Sequence, residues 1–433
     1  MIKNKKSITI ICIAVTFAVI FIRDLIGINI PFVVFSTLCA ASSLVLNRNG
    51  RFIYALALLP FCRGIPYSEI VLIVLAFDIF FELPKNTSFN IIGIIPFVAV
   101  VIIEMLDYLY YNSFKNNILY LAAYMFFVCY AVANKVFIGS EENFILAYSF
   151  GTLFAVLSVA IREINTLGLD YIITYGVRFG TNTEQNSSVT NFNSNEMGLY
   201  CAVAVALLLV LFSFRSRILS LILAVSISMI GFLSISRSYL VVIVAVWLYY
   251  FLFCGIKIKS IFSILIIFAL GIAALHRFVP ELSEWAMNFL FERADAAKTD
   301  GMGGRTDIIA LYFDLVLSSL WSVLFGFSTG YTTTSGSTTA AHNGLQEILV
   351  CWGMIGFVFA VSWLIILYRQ MFKMPQAQKN NKILRALPLV AFWLFIMTLQ
   401  LFTMFNYLFV MLISMVSITL TSEDKDKYEL QTF

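Results

Sequence analysis

Apolar runs recur from one end of this chain to the other, most of them close to the roughly 17–25 residues a helix needs to cross the hydrocarbon core of a bilayer. They fall at 7–22, 30–46, 51–62, 68–83, 90–106, 118–138, 143–161, 196–213, 217–235, 238–255, 259–275, 346–368, 386–405 and 406–421; the third is short and Pro60 ends it. In lipid only a helix or a closed barrel satisfies every backbone N–H and C=O. No alternating ten-residue pattern of the barrel kind is present. The runs therefore predict an all-α, polytopic transmembrane helical bundle of about 12–14 spans. Composition agrees, with 61% hydrophobic residues, 12% charged residues and a mean hydropathy of +0.92, where a soluble domain averages roughly 45–50% and about 25%. The whole of 1–433 reads as a single integral membrane domain.

The basic residues gather at the ends of the runs. Lys3, Lys5 and Lys6 precede the first, and Arg48 and Arg51 flank the link after the second. Arg215 and Arg217 fill one short link, Lys257 and Lys259 another, and Arg369, Lys373, Lys379, Lys382 and Arg385 a third. Such residues favour the cytoplasmic face, and with fourteen spans all five clusters and both termini fall there. The long polar connections 162–195 and 276–345 then lie outside. A basic start before an apolar run imitates a signal peptide, but further spans follow at once, so an uncleaved first helix is expected. All seven cysteines sit in apolar runs without a C-x-x-C pair and read as small buried side chains. The net charge of +4 does not point to a nucleic acid, and no cofactor is implied.

The loop 276–345 holds two apolar pieces. Residues 306–325 are apolar enough to cross, yet carry Asp307, Asp314, Ser318 and Ser319. An Asp near a helix centre costs roughly 2.5–3.5 kcal/mol on the insertion scale, so a re-entrant or surface helix returning at Gly326 is expected. In 281–293, Leu282, Trp285, Phe289 and Leu290 share a face opposite Glu284 and Asn288, the pattern of a helix lying in the interface. A loop this long usually carries function or disorder, and it is where chemistry is expected.

Three residues at the outer face can do such chemistry. Arg237 stands in Ser234-Ile235-Ser236-Arg237-Ser238, a tight turn on the side where basic residues are disfavoured. It either snorkels to headgroups or pairs with a carboxylate, or it offers its planar donor fork to an anionic substrate. Arg305 follows two glycines and opens an apolar helix, where free N–H groups, the helix dipole and the guanidinium add up to an anion site; an ordinary solvated arginine is the plain alternative. His342, just before a span, can titrate near neutral pH and act as a general base, or simply hydrogen-bond at the interface. His276 has no comparable setting, and Glu281 with Glu284 reads as the wet side of the interfacial helix. No D-x-D pair or His/Asp cluster is present, so no metal site is expected.

Taken together, these residues give the chain a resemblance, over roughly 175–368, to the family of O-antigen ligases and Wzy-type O-antigen and capsule polymerases. It is carried by Arg178-Phe179-Gly180, by Phe192-Asn193-Ser194-Asn195 at the start of a span, and by Ser236-Arg237-Ser238. Gly304-Arg305, Phe325-Gly326-Phe327 and His342-Asn343 with Gly353 and Gly356 continue it, and Arg293 with Gly304 matches an Arg-x10-Gly spacing of the polymerases. The family usually has Pro between the two asparagines, where this chain has Ser194. The resemblance implies a glycosyltransferase of the bacterial cytoplasmic membrane, its site facing outward. It would move a glycan from a polyprenyl diphosphate lipid to an acceptor hydroxyl. Arg237 and Arg305 would neutralise the diphosphate and His342 would take the hydroxyl proton. Arg178, Arg293, Asn195 and Asn343 would bind substrate, and a chain-length regulator protein is an implied partner. A ligase differs only in its acceptor, a lipid A core sugar. A lipid-glycan flippase would instead show internal repeats and polar residues at mid-membrane. No repeat is evident, and Lys135 and Asp78 are the nearest such residues. A membrane scaffold would leave the Arg/Arg/His set unexplained.

Overall fold

A computed structural model describes residues 2–28, 30–61, 65–82, 91–111, 117–168, 177, 194–254, 277, 305–334, 341, 343–373, 382–399, 401–402 and 406–420. Helices dominate, and no strand occurs among the described residues. In chain order they are α1 (Ile2–Ile26), α2 (Phe32–Val45), α3 (Arg48–Leu58), α4 (Ile65–Glu82), α5 (Ile91–Tyr111) and α6 (Asn117–Ala133). Then come α7 (Glu141–Leu167), α8 (Ser194–Arg215), α9 (Ile218–Gly231), α10 (Arg237–Phe253), α11 (Arg305–Val316) and α12 (Leu320–Leu324). The last are α13 (Tyr331–Thr334), α14 (Gly344–Phe372), α15 (Lys382–Arg385), α16 (Leu387–Ile396) and α17 (Asn406–Val416).

A helix occupies every expected segment that the described residues cover; 259–275 and the interfacial piece 281–293 lie outside them. Four helices are long and apolar enough to cross a membrane: Gly93–Tyr111, Glu141–Leu167, Asn195–Arg215 and Gly344–Phe372. Several others are apolar but shorter. The expected run 386–405 is interrupted after Ile396, where the N–H groups of Leu401 and Phe402 turn away to the Glu347 carboxylate. Residues 306–325 form two helices rather than one. Ser318 and Ser319 separate them, and Ser319 and Ser322 cap the second by bonding each other's backbone N–H. At 12 residues, α11 spans about 18 Å, short of a 30 Å hydrocarbon core.

The layout follows from which helices are apolar all round. Every residue of α8 from Glu196 to Leu211 is buried, and so is all of α17. A helix without a polar face belongs in the centre. Around α8 pack α7, α9, α10, α16 and α17. The perimeter is apolar in the opposite sense: Leu109, Phe80 and Leu252 are 77%, 76% and 71% exposed. Facing water, that much bare hydrocarbon is an aggregation liability; facing lipid it is at no disadvantage.

Charge is handled by pairing at one end of the bundle. Asp78 is fully buried, with Arg51 at 3.3 Å and Arg48 at 3.7 Å, and it accepts from the Tyr130 hydroxyl at 3.2 Å. Arg217 meets Glu142 at 2.7 Å. Close backbone approach sets the inner layer. A Cβ placed at Gly151 of α7 would lie 2.2 Å from the Ala57 carbonyl oxygen of α3, so only glycine allows this crossing. Gly151→Leu is expected to force the helices apart at a cost of about 3 kcal/mol or more. A thermal unfolding scan of the purified protein should then show a melting point several degrees lower.

Candidate functional site

Several helices begin at one place, the end of α16. Asn195 stands in the first turn of α8 and accepts from Ser236 Oγ at 2.7 Å. Ser236 is also the N-cap of α10, accepting from Tyr239 N at 3.2 Å, so one hydroxyl ties two helix starts together. A Cβ at Gly198, one turn into α8, would touch both Phe395 of α16 and Tyr239 of α10. At Gly344, the first residue of α14, it would strike Ile396. The start of α11 belongs to the same region. Gln346 in the first turn of α14 donates to the Ile309 carbonyl at 2.7 Å, and Arg305 opens α11 about 6 Å before that carbonyl. Four helix N-termini, each the positive end of a dipole, thus share one end of the molecule.

Three of the residues singled out in the sequence are described there in full or nearly so. Arg237 begins α10, half-buried, and meets no carboxylate or hydrogen-bond partner among the described residues. Asn195 lies one hydrogen bond from Arg237's neighbour. Asn343 is the N-cap of α14, its Oδ1 accepting from Leu345 N at 3.0 Å and Gln346 N at 3.2 Å. For Arg305 the backbone is described, at the head of α11, and the side chain is not. His342, Arg178 and Arg293 lie outside the described residues. Their neighbours are informative in two cases. Val177, just before Arg178, is buried and donates to the Leu233 carbonyl at 2.8 Å, in the turn that leads to Arg237. Ala341, just before His342, donates to the Tyr331 hydroxyl at 2.7 Å. That hydroxyl is buried against Tyr312, and burial pushes its pKa far above the ordinary tyrosine value.

What supports this end is a break in α14. At Gly353 the backbone turns to φ 59°, ψ −164°, a region open to glycine and strained for other residues. The carbonyls that lose their helical partners are met by a loop instead. Phe327 N donates to Val350 O at 2.9 Å and Ser328 N to Cys351 O at 2.8 Å. The contact is backbone on backbone. A Cβ at Gly353 would fall 2.4 Å from Leu324 C, and one at Gly326 2.5 Å from Cys351 C. The Gly326–Gly330 turn is therefore a plug in the broken helix.

A buried carboxylate on α5 locks the plug. Both oxygens of Glu104 accept from Thr329 N at 3.0 Å; Oε1 also accepts from the Thr329 hydroxyl and Oε2 from Trp352 Nε1 at 2.7 Å. One turn on, Asp107 accepts from Trp321 Nε1 at 3.1 Å, and Tyr111 donates to the Gly326 carbonyl at 3.2 Å. Trp321 stacks on Tyr110 at 4.2 Å. Glu347 and Glu196, in the first turns of α14 and α8, are buried as well. Sequence reading passed over all four acids. The signal was there: Glu104, Asp107 and Tyr111 share one face of an otherwise apolar helix, and an ionisable residue inside an apolar run marks a functional region by default.

Chemically, helix N-termini and a guanidinium that meets no partner among the described residues favour an anion, while Glu104, Asp107 and Glu347 accept from backbone or indole donors. Among the described residues no three His, Cys, Asp or Glu side chains converge as a metal site would require. No family model matches the chain, and no curated protein matches it either.

Removing the Glu104 carboxylate strands three buried donors, each worth about 1–3 kcal/mol when unpaired. Glu104→Ala is therefore expected to lower the melting point far more than Glu104→Gln, which keeps one acceptor oxygen. Equal shifts in a thermal scan of the two variants would contradict this account of the plug.

Proposed function

We propose that this chain is a multi-pass protein of a bacterial cytoplasmic membrane, of about 12–14 spans, that joins lipid-linked oligosaccharide repeat units at the outer face. The donor is a glycan on polyprenyl diphosphate, and the product is a lengthened O-antigen or capsular chain. The observation that carries the reading is the gathering of helix N-termini at the end of a bundle whose flanks are bare hydrocarbon, with Arg237 among them and without a partner among the described residues. Charge-assisted hydrogen bonds to a diphosphate are worth roughly 1.5–3 kcal/mol each, and the helix dipoles add to them. The five basic clusters put the opposite end on the cytoplasmic side, which leaves the connections 162–195 and 276–345 outside.

In this reading the acceptor hydroxyl attacks the anomeric carbon of the donor glycan. The bond from that carbon to the diphosphate oxygen breaks, and its electron pair leaves with polyprenyl diphosphate. His342 takes the hydroxyl proton, a contribution of typically 10²–10⁴-fold, while Arg237 and Arg305 neutralise the leaving diphosphate. Direct displacement inverts the anomeric configuration. Arg178 and Arg293 hold the diphosphate or the glycan. Asn343 fixes the segment that carries His342 by capping α14, and Asn195 fixes the turn that carries Arg237 by bonding Ser236. The acceptor is another lipid-linked repeat unit, favoured over a lipid A core sugar because Arg178, in the connection expected at 162–195, and Arg162, in the last turns of α7 rather than in the loop, give a second basic surface to grip a growing chain. A chain-length regulator protein is the partner this activity calls for.

Single replacements Arg237→Ala, Arg305→Ala and His342→Ala are each expected to abolish long glycan chains while the protein stays in the membrane. Gels of surface glycan from cells carrying each variant read this directly, and normal chain lengths in all three would sink the mechanism. In a deletion strain, single repeats on the core indicate a lost polymerase. Bare core with retained lipid-linked polymer indicates a lost ligase. Purified protein given lipid-diphosphate glycan should form product at an unchanged rate when a chelator is added. A rate restored only by a divalent cation would replace the two-arginine account.

A further inference from the structure

Far from that site, a cavity of about 810 Å³ opens on the apolar flank between α1, α3 and α7. It is wedge-shaped. At its narrow end Phe17 of α1 stacks face to face on Phe154 of α7, with ring centroids 4.4 Å apart. Close by, α3 and α7 cross in backbone contact at Ala57 and Gly151. Ile13, Ile53 and Phe150 line the wedge there. Toward the wide end the lining turns polar, with Thr9, Asn47, Asn49, Ser140 and Asn143. Asn49 Nδ2 donates to Ser140 Oγ at 3.0 Å, joining α3 to the start of α7. Asn143 is half-buried and makes no hydrogen bond among the described residues. Ser140 and Asn143 also line a second cavity of about 220 Å³, whose other walls include Glu141, Glu142, Arg215 and Arg217. Ser140 and Asn143 thus stand between an apolar cavity and a charged one.

We propose that this wedge binds one anionic glycerophospholipid, with an acyl chain in the apex and the phosphate at the mouth between Arg217 and the side-chain amide of Asn143. The volume lies within the roughly 300–1,000 Å³ of ligand pockets. Charge selects the headgroup. Arg215 and Arg217 stand at the mouth, and Lys3, Lys5 and Lys6 lie in the first turns of α1, at the same end of that helix as Thr9. Two acids, Glu141 and Glu142, line the mouth with the arginines, so basic residues outnumber acidic ones on the helix ends that meet there. Arg217 gives Nη1 to Glu142 at 2.7 Å, and a guanidinium has further N–H groups to offer. Basic pockets between helices on the cytoplasmic side are where anionic headgroups bind. The mouth is the basic end of the bundle, so the lipid comes from the inner leaflet. The site is independent of the glycosyl transfer proposed for the opposite end.

The test is native mass spectrometry of the full-length protein in detergent, after incubation with phosphatidylglycerol or with phosphatidylcholine of the same acyl chains. One phosphatidylglycerol per chain should be retained, with roughly fivefold less phosphatidylcholine. Ala147→Trp fills the wedge and should remove retention. Arg217→Glu changes only the exposed mouth and should reduce phosphatidylglycerol retention by about fivefold. Circular dichroism checks that each variant keeps its helix content, and if Ala147→Trp does not, Arg217→Glu decides alone. Equal retention of both lipids, or retention unchanged in Arg217→Glu, overturns the proposal. So does a dimer free of lipid, which would assign the wedge to a second copy.

Discussion

A helix interrupted inside an apolar bundle leaves carbonyl groups that must find donors where no water reaches. At Gly353 this protein has such an interruption, and the Gly326–Gly330 turn supplies the donors from Phe327 and Ser328. The rest of this end follows from that exchange. The turn must enter as bare backbone, which is why glycines face each other across the contact. It must also be held, and Glu104 holds it through Thr329 while reaching the helix itself through Trp352. The segment from Arg305 to Asn343 is thereby anchored at its middle, leaving its two ends beside the first turn of α14.

Buried acids and paired arginines divide the molecule into unlike ends. At one, Arg48 and Arg51 neutralise Asp78, and Arg385 lies over the Phe214 ring at 4.8 Å. At the other, Glu104 and Glu347 accept from backbone N–H groups, acting as clamps on loops that have no regular partners. A carboxylate with two or three donors can be buried where an unpaired one cannot. The clamps account for acids standing beside the proposed anion site without lining it. They are engaged with the protein, while Arg237 meets no partner among the described residues.

Part of the candidate site was legible because it is written in short patterns with local physical meaning. Ser236 before Arg237 is an N-cap signal, and Asn343 before an apolar run is another. Gly353 and Gly326 stood out in the sequence only as parts of the family resemblance and, for Gly326, as the point of return; their special backbone is seen in three dimensions. The clamps were harder to see. Glu104 and Thr329 are far apart in the chain, and nothing in either neighbourhood names the other. The two-helix form of 306–325 was half legible: its aspartates and serines argued against a plain crossing, but the break at Ser319 depends on a capping pair seen only in three dimensions.

Hydrophobic periodicity and length alone established where the helices run, because a 17–25-residue apolar stretch has few ways to satisfy its backbone. The basic clusters likewise predicted which helix ends lie together, and Arg385 does lie over the Phe214 ring next to Arg215. Tertiary packing alone settled that α8 and α17 are central, that α16 ends amid the starts of α8, α10 and α14, and that a distant turn fills the gap at Gly353. Those outcomes depend on contacts between segments far apart in sequence, where shape and donor–acceptor matching choose among many arrangements that the apolar pattern permits equally.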